Sequence, residues 1–295
     1  MLKETSLIQD PGVYTLGIAW DRSACFRKGA RFAPNAIKDS FFGIETYSPY
    51  LREDLEEISQ CKKIFLFDLG IISPSLDLKS EDNLLSQWKT IESSYQKLIP
   101  DSLKNQLGTK YKLLTIGGEH SISYFPIRDY LQVFPDLCLL HLDAHADWRD
   151  GYEGFHFSHA SIVRRVYDHF GKDHRLLQYG IRSGTKEEFE QMEKIESLFY
   201  SKEKLFYFLE NLSNKTPLYI TCDLDFFDPS ELPGTGTPES GGETFHTFIS
   251  LLKKIKDKNI VGADIVELAP NLDPSGISTV LATKVFREFL LLLVK

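Results

Sequence analysis

Short runs that are largely apolar on both faces, rather than at alternate positions, recur between stretches of helical periodicity. Lys112–Ile116 (KLLTI), Leu137–Leu142 (LCLLHL), Leu176–Ile181 (LLQYGI), Leu218–Cys222 (LYITC) and Ile260–Val266 (IVGADIV) carry the pattern furthest. A strand with one wet face alternates, so strands apolar on both sides need a covering layer on each. The chain therefore reads as α/β with a mainly parallel sheet. A (β/α)₈ barrel satisfies the same alternation, and the pattern alone leaves layered sheet and barrel both open.

The covering helices are legible too. Pro34 suits the first turn of a helix reaching about Gly43, because its missing N–H costs nothing there. Leu84–Leu98 sets Trp88, Ile91 and Tyr95 at helical spacing, Glu187–Leu198 and Phe245–Ile255 read as helices, and so does the segment from His159 to Phe170. The last predicted helix, Ile277–Val294, carries Lys284, Arg287 and Glu288, so it docks rather than spans a membrane. Val13–Trp20 and Lys63–Leu69 complete the predicted strands, the latter followed by a proline-bearing loop. With 295 residues and neither linker nor repeat, residues 1–295 are read as one domain.

A net charge of -8 argues against a general nucleic-acid or anionic-membrane binder. The opening MLKETSLIQDPG has no signal-peptide core, and no run reaches the roughly 18 apolar residues of a membrane span, which points to the cytoplasm. Cys25, Cys61, Cys138 and Cys222 form no CxxC pair and suggest no disulfide framework.

The apolar runs end in chemistry. Gly117-Gly118-Glu119-His120 follows one, Asp143-Ala144-His145-Ala146-Asp147 another, Asp223-Leu224-Asp225 a third, and Glu267 a fourth. Ligands bind outside the carboxyl ends of parallel strands. If the chain stays extended there, residues two apart share a side, so Asp143, His145 and Asp147 converge, as do Asp223 and Asp225. Like charges that close are costly unless a cation lies between them. Four carboxylates with His120 and His145 would balance two divalent cations. Oxygen-rich ligation without thiolate suits Mn²⁺ better than a structural zinc, with Fe, Co, Ni and Zn also open.

Together GGEHS, DAHAD, DLDFFDP and PGTGTPESGG, in this order between a GARFAP loop and VELAP at Val266–Pro270, resemble the ureohydrolase family of arginase and agmatinase. The resemblance implies a three-layer α/β/α fold around a mostly parallel eight-stranded sheet. It implies two Mn²⁺ ions bridged by Asp143 and Asp223, with His120 and Asp147 completing one site and His145 and Asp225 the other. Asp147 would then pass a proton to the leaving nitrogen, His159 would shuttle protons near the substrate, and Glu267 would pair with the guanidinium. A homo-oligomer, trimer or hexamer, is implied as well.

His141, on the apolar run, is expected to point into the core, and His156, His169, His174 and His246 match no ligand position. Asp228, before Pro229, reads as a turn former or a group that orients the site. Glu119 stands where the family often has aspartate and is not a family ligand. The segment DWRDGYEGFHFSHAS, lacking the asparagine- and serine-bearing head-group grip of arginase, looks like agmatinase instead. Its Asp150 and Glu153 would favour a small cationic guanidino substrate, agmatine, giving putrescine and urea. Arg149 keeps arginine, guanidinobutyrate and guanidinopropionate open, and a non-catalytic homologue that binds polyamine-pathway proteins is the remaining alternative.

Overall fold

The computed structural model describes residues 2–74 and 84–295, so most of the proline-bearing loop after Lys63–Leu69 lies outside the described residues. Eleven strands form among them: β1 (Lys3–Glu4), β2 (Gly12–Ile18), β3 (Tyr47–Ser48), β4 (Glu53–Asp54), β5 (Phe65–Ile72), β6 (Tyr111–Gly117), β7 (Cys138–Leu142), β8 (Arg175–Tyr179), β9 (Leu198–Phe199), β10 (Pro217–Asp223) and β11 (Asn259–Val266). β3 and β4 make a small antiparallel pair. The other nine form one sheet in the order β1-β5-β2-β6-β11-β10-β7-β8-β9, with every neighbouring pair parallel.

The expected count of eight strands is thus exceeded by one. The outermost strands, β1 and β9, are two residues each and not fully buried, so neither leaves an apolar run in the sequence. β9 also cuts short the expected Glu187–Leu198 helix, which ends at Lys194, with Glu196 at a left-handed φ of 55° before the strand begins.

Alternate residues of each central strand enter different cores. Leu114, Leu140, Ile220 and Ala263 pack with Ile37, Phe248 and Phe286 from three helices on one face. Leu113, Leu139, Tyr219 and Val261 pack with Trp88, Phe125 and Val163 on the other. This is the three-layer α/β/α arrangement, and it explains why the strands are largely apolar on both faces. The terminal helix, Ile277–Leu293, is buried along most of its length and carries Phe286 edge-on against Phe41 at 5.0 Å. Its Arg287 pairs with Glu288 at 2.6 Å and donates to the carbonyls of Glu45 and Tyr47, so the guanidinium is satisfied inside the fold. No helix among the described residues is long and apolar enough to cross a membrane.

Register places the site. Cys222 pairs with Leu142, Asp223 with Val266, and Ile265 with Ile116. The four central neighbours β6, β11, β10 and β7 therefore end nearly level, and the loops that follow them open on one side of the sheet.

Candidate active site

The chain does not stay extended past these strand ends. β7 stops at Leu142, and Asp143 Oδ1 accepts from the His145 backbone N–H at 2.5 Å, closing a tight turn. Ala144 N–H is drawn to Asp225 Oδ1 at 3.0 Å, and Asp147 adopts a left-handed φ of 52°. Similarly, Asp223 Oδ1 accepts from Asp225 N–H at 2.9 Å and starts a 3₁₀ turn over Leu224–Phe226. The three pentad side chains therefore diverge: His145 reaches Asp225, while Asp147 reaches His120. Short aspartates bonding to the amide two residues on compete with extended structure, and here they win.

Two donor sets result. His120 Nδ1 lies 3.0 Å from Asp143 Oδ2, 3.1 Å from Asp147 Oδ2 and 3.4 Å from Asp223 Oδ2. His145 Nδ1 lies 2.9 Å from Asp225 Oδ2 and 3.6 Å from Asp143 Oδ1. Asp143 thus belongs to both sets through different oxygens. Donor atoms of His120, His141, Asp143 and Asp147 lie within 4.8 Å of one another, and so do those of Asp143, His145 and Asp225. Asp223 stands beside His120 but completes neither set at that spacing.

The His120 ring shows what the first set suits. Its Nε2 is 2.8 Å from Thr221 Oγ1, and that hydroxyl donates to Asp264 Oδ1 at 2.7 Å. With its only proton committed, Thr221 accepts from Nε2–H, so Nδ1 is the nitrogen left to bind a metal; although burial opposes it, Asp143, Asp147 and Asp223 otherwise push the imidazole toward its charged form. Nδ1 is buried, has no hydrogen-bond partner, and faces three carboxylates. A buried lone pair aimed at buried anions is unfavourable unless a cation sits between them. Imidazole and carboxylate donors without thiolate fit a hard or borderline divalent metal.

The titration of the site carries the same message. Burial, then Asp225 and Asp143, push the Asp223 carboxyl well above its ordinary range. Burial and the Asp143 charge raise Asp147 to about 6. Although burial disfavours its charge, Asp143 is held well below the usual carboxylate range by His141, His120 and His145.

Glu267 follows β11 with a left-handed φ of 66°. Its N–H donates to Gly118 O at 2.9 Å, and its Oε1 accepts from the His120 N–H at 2.7 Å. Burial, reinforced by Glu119, pushes its carboxyl well above the ordinary range, so it is primed for a cationic partner. Glu267 lines a cavity of about 120 Å³ with Cys25, Asp147, Arg149, Tyr152 and His159. His159 begins a 3₁₀ turn, His159–Ser161, capped by Ser158, after which the α-helix runs only over Ile162–Tyr167. Burial, then His145, lowers its pKa to about 4, leaving a neutral imidazole.

The loop 231–242 faces the site. Asp228 Oδ2 accepts from Gly241 and Gly242 N–H at 2.9 and 3.1 Å, the loop-organising part expected of it. Arg182 bridges the backbone carbonyls of Asp225 and Glu239 at 2.7 and 2.8 Å. Glu239 Oε1 comes to 3.7 Å from His145 Nε2. Glu119 stays outside both donor sets; fully buried, it accepts from Trp20, Ser121 and Ser23 and anchors the N-terminal loop.

The arginase family's sequence pattern matches residues 12–292. The chain belongs to the arginase family. An agmatinase from Bacillus cereus is 36% identical, covering 98% of this chain and 94% of its own. A mitochondrial arginase from Arabidopsis thaliana is 32% identical, covering 92% and 78%. The crystal structure of a putative agmatinase from Clostridium difficile superposes with a TM-score of 0.80 at 34% identity, covering 96% of this chain and 97% of the other. The chain is a ureohydrolase, a hydrolase of guanidino C–N bonds.

Within this arginase-family site, several supporting residues escape a sequence reading. His141 is buried as expected, yet its Nε2 lies 2.8 Å from Asp143 Oδ2 rather than in an apolar core. Sequence alone gives no role to Asp264, Thr221, Gln178, Glu239 or Arg182. Asp264 and His141 do leave a signal, each being an ionisable residue inside an otherwise apolar strand. Of the two loop acids expected near the substrate, Asp150 turns out to the surface and pairs with Arg165 at 2.6 Å.

Proposed function

We propose that this ureohydrolase converts agmatine and water to putrescine and urea at a pair of divalent cations, Mn²⁺ by preference. His120, Asp143, Asp147 and Asp223 would hold one ion, and His145, Asp225 and the shared Asp143 and Asp223 the other. Bound there, the ions supply an activated water as nucleophile at neutral pH. One observation carries the reading: the buried Glu267 carboxylate is fixed by the His120 N–H on the wall of the cavity that Asp147 and His159 share.

The chain's own groups then divide the work. Glu267 binds the guanidinium through charge-assisted hydrogen bonds and turns its carbon toward the two donor sets. Asp147, on the cavity wall beside the donor sets, carries the proton that the leaving nitrogen needs as the C–N bond breaks. Neutral His159 accepts a proton at the cavity wall and returns it to solvent.

Preference for a cationic tail is supported by the charges at the mouth. Arg149 lies 3.7 Å from Glu188 and over the Tyr152 ring at 4.6 Å, so its charge is already engaged. Glu153 acts electrostatically on Cys25 in the cavity wall, and Glu239 stands beside His145. The engagement of Arg149 by Glu188, with Glu239 near the donor sets, supports the ammonium of agmatine over a carboxylate. The resemblance extends this to one catalytic domain acting as a cytoplasmic homo-oligomer.

A panel of agmatine, arginine, guanidinobutyrate and guanidinopropionate, assayed for urea with Mn²⁺-loaded protein, tests the proposal. Agmatine should have the highest kcat/KM, with putrescine formed in equal amount to urea. A higher value for arginine or either acid would sink the substrate assignment, and no urea from any of them would favour the binding-only homologue.

A further inference from the structure

His141 is fully buried on β7, two residues before Asp143, and the steps above give it no part. Its surroundings fix which of its nitrogens bears hydrogen. Gln178 Nε2 lies 3.3 Å from the Ala146 carbonyl, which only accepts, and Ser197 Oγ donates to Gln178 Oε1 at 2.9 Å. The Ala146 contact requires the amide nitrogen to face inward, and the Ser197 hydroxyl is compatible with that orientation. That nitrogen also lies 3.2 Å from His141 Nδ1, so Nδ1 must be the acceptor. The remaining nitrogen, Nε2, then carries the hydrogen and donates to Asp143 Oδ2 at 2.8 Å.

We infer that His141 is a positioning residue, an Nε2–H donor that fixes the plane of the Asp143 carboxylate, and that it is not a metal ligand. The proximity of its ring to His120, Asp143 and Asp147 invites the opposite assignment. Yet its one lone pair is occupied by Gln178, and its other nitrogen points a hydrogen at the carboxylate. Besides His141, the backbone holds the Asp143 carboxylate through the His145 N–H on Oδ1. One hydrogen bond leaves a carboxylate free to swing about that contact, whereas a second on the other oxygen sets its orientation. Because Asp143 is the carboxylate common to both donor sets, its orientation decides whether the sets act as a pair. The chain Ser197–Gln178–His141–Asp143 thus runs from β9's threshold across β8 to β7, and it makes the rigid sheet the reference for the shared ligand.

The inference rests on the two-cation reading, and its test separates the two. In metal-free protein, ¹⁵N-histidine NMR at neutral pH should show His141 protonated on Nε2 and bare on Nδ1; a proton on Nδ1 would overturn the inference whatever the metal does. Titration with Mn²⁺, followed by metal analysis and the electron-paramagnetic-resonance signature of a coupled pair, should find two ions in the wild type. His141→Leu should bind about 10- to 100-fold more weakly and lose the coupled signal. His141→Gln, which keeps an N–H near the Nε2 position, should recover most of both. Wild-type affinity and coupling in His141→Leu, or equal loss in the Leu and Gln variants, would overturn the role of His141. Fewer than two ions in the wild type would instead defeat the two-cation reading, with the NMR result still deciding whether His141 is the donor. Should His141→Leu fold poorly, Gln178→Leu, which unlocks Nδ1 and leaves His141 in place, should show the same weakening, and its absence would count against the inference.

Discussion

Thr221 gives its hydroxyl proton to Asp264 at 2.7 Å and stands 2.8 Å from His120 Nε2, so Nε2 bears a hydrogen and Nδ1 is the nitrogen left to bind a metal, facing Asp143, Asp147 and Asp223. Thr221→Val keeps the shape and removes the acceptor. Metal affinity should fall about 10- to 100-fold, the usual cost of losing a partner that orients a ligand. Metal titration monitored by tryptophan fluorescence or calorimetry measures it, and unchanged affinity would mean that the tautomer is set elsewhere.

Glu267 is assigned to the guanidinium and not to a metal. Glu267→Gln should therefore retain its full metal content while kcat/KM for agmatine drops by about 1.5–3 kcal/mol, the contribution of a hydrogen bond to a charged group. Steady-state kinetics beside metal analysis decides; loss of metal would move Glu267 into the ligand set.

Arg182 holds the Asp225 turn and the Glu239 loop together through two carbonyls with one planar guanidinium. Lysine offers a point charge without that fork. Arg182→Lys should preserve folding by circular dichroism but lower kcat/KM by about 10- to 100-fold, as a small misplacement at a reacting site does. Wild-type kinetics would show that the loop needs no such tie.

Far from the chemistry, Asp273 caps the entry to the terminal helix. Its Oδ2 accepts from Ser278 N–H at 2.8 Å and its Oδ1 from Ser275 N–H at 3.0 Å, while Ser278 Oγ accepts from Gly234 N–H in the site loop. Although burial opposes it, hydrogen bonding from Ser275 and Ser278 lowers the Asp273 pKa to about 2. A depressed carboxylate stabilises the fold fully above its unfolded pKa of about 3.9 and loses that contribution as pH falls through the folded value. Asp273→Ala should cost about 1.5–3 kcal/mol at pH 7. The gap between wild type and variant in denaturant melts should shrink between pH 4 and pH 2, and a gap independent of pH would refute the charged cap.

The sheet was legible because five of its strands are largely apolar on both faces, and the site because its acids follow those strands directly. What the residues alone could not convey is how the chain turns after them. An Asp-x-His-x-Asp pattern is compatible with extended backbone, and only the capture of the His145 amide by Asp143 and the left-handed Asp147 send neighbouring side chains to different sets. His141 reads as core because its partner Gln178 lies on another strand, brought alongside by the pairing of His141 with Gln178. Asp264 is similar, since Thr221 meets it through the β10–β11 register. Long-range partners of this kind depend on strand order, which a single sequence does not encode locally. The edge strands β1 and β9 escaped because two residues carry no periodicity.

Urea release from agmatine, measured as metal-free protein receives increasing equivalents of Mn²⁺ per chain, tests the central claim most directly. Two donor sets sharing Asp143 require activity to rise to a plateau at two equivalents. A plateau at one equivalent, or no urea at any ratio, would contradict it.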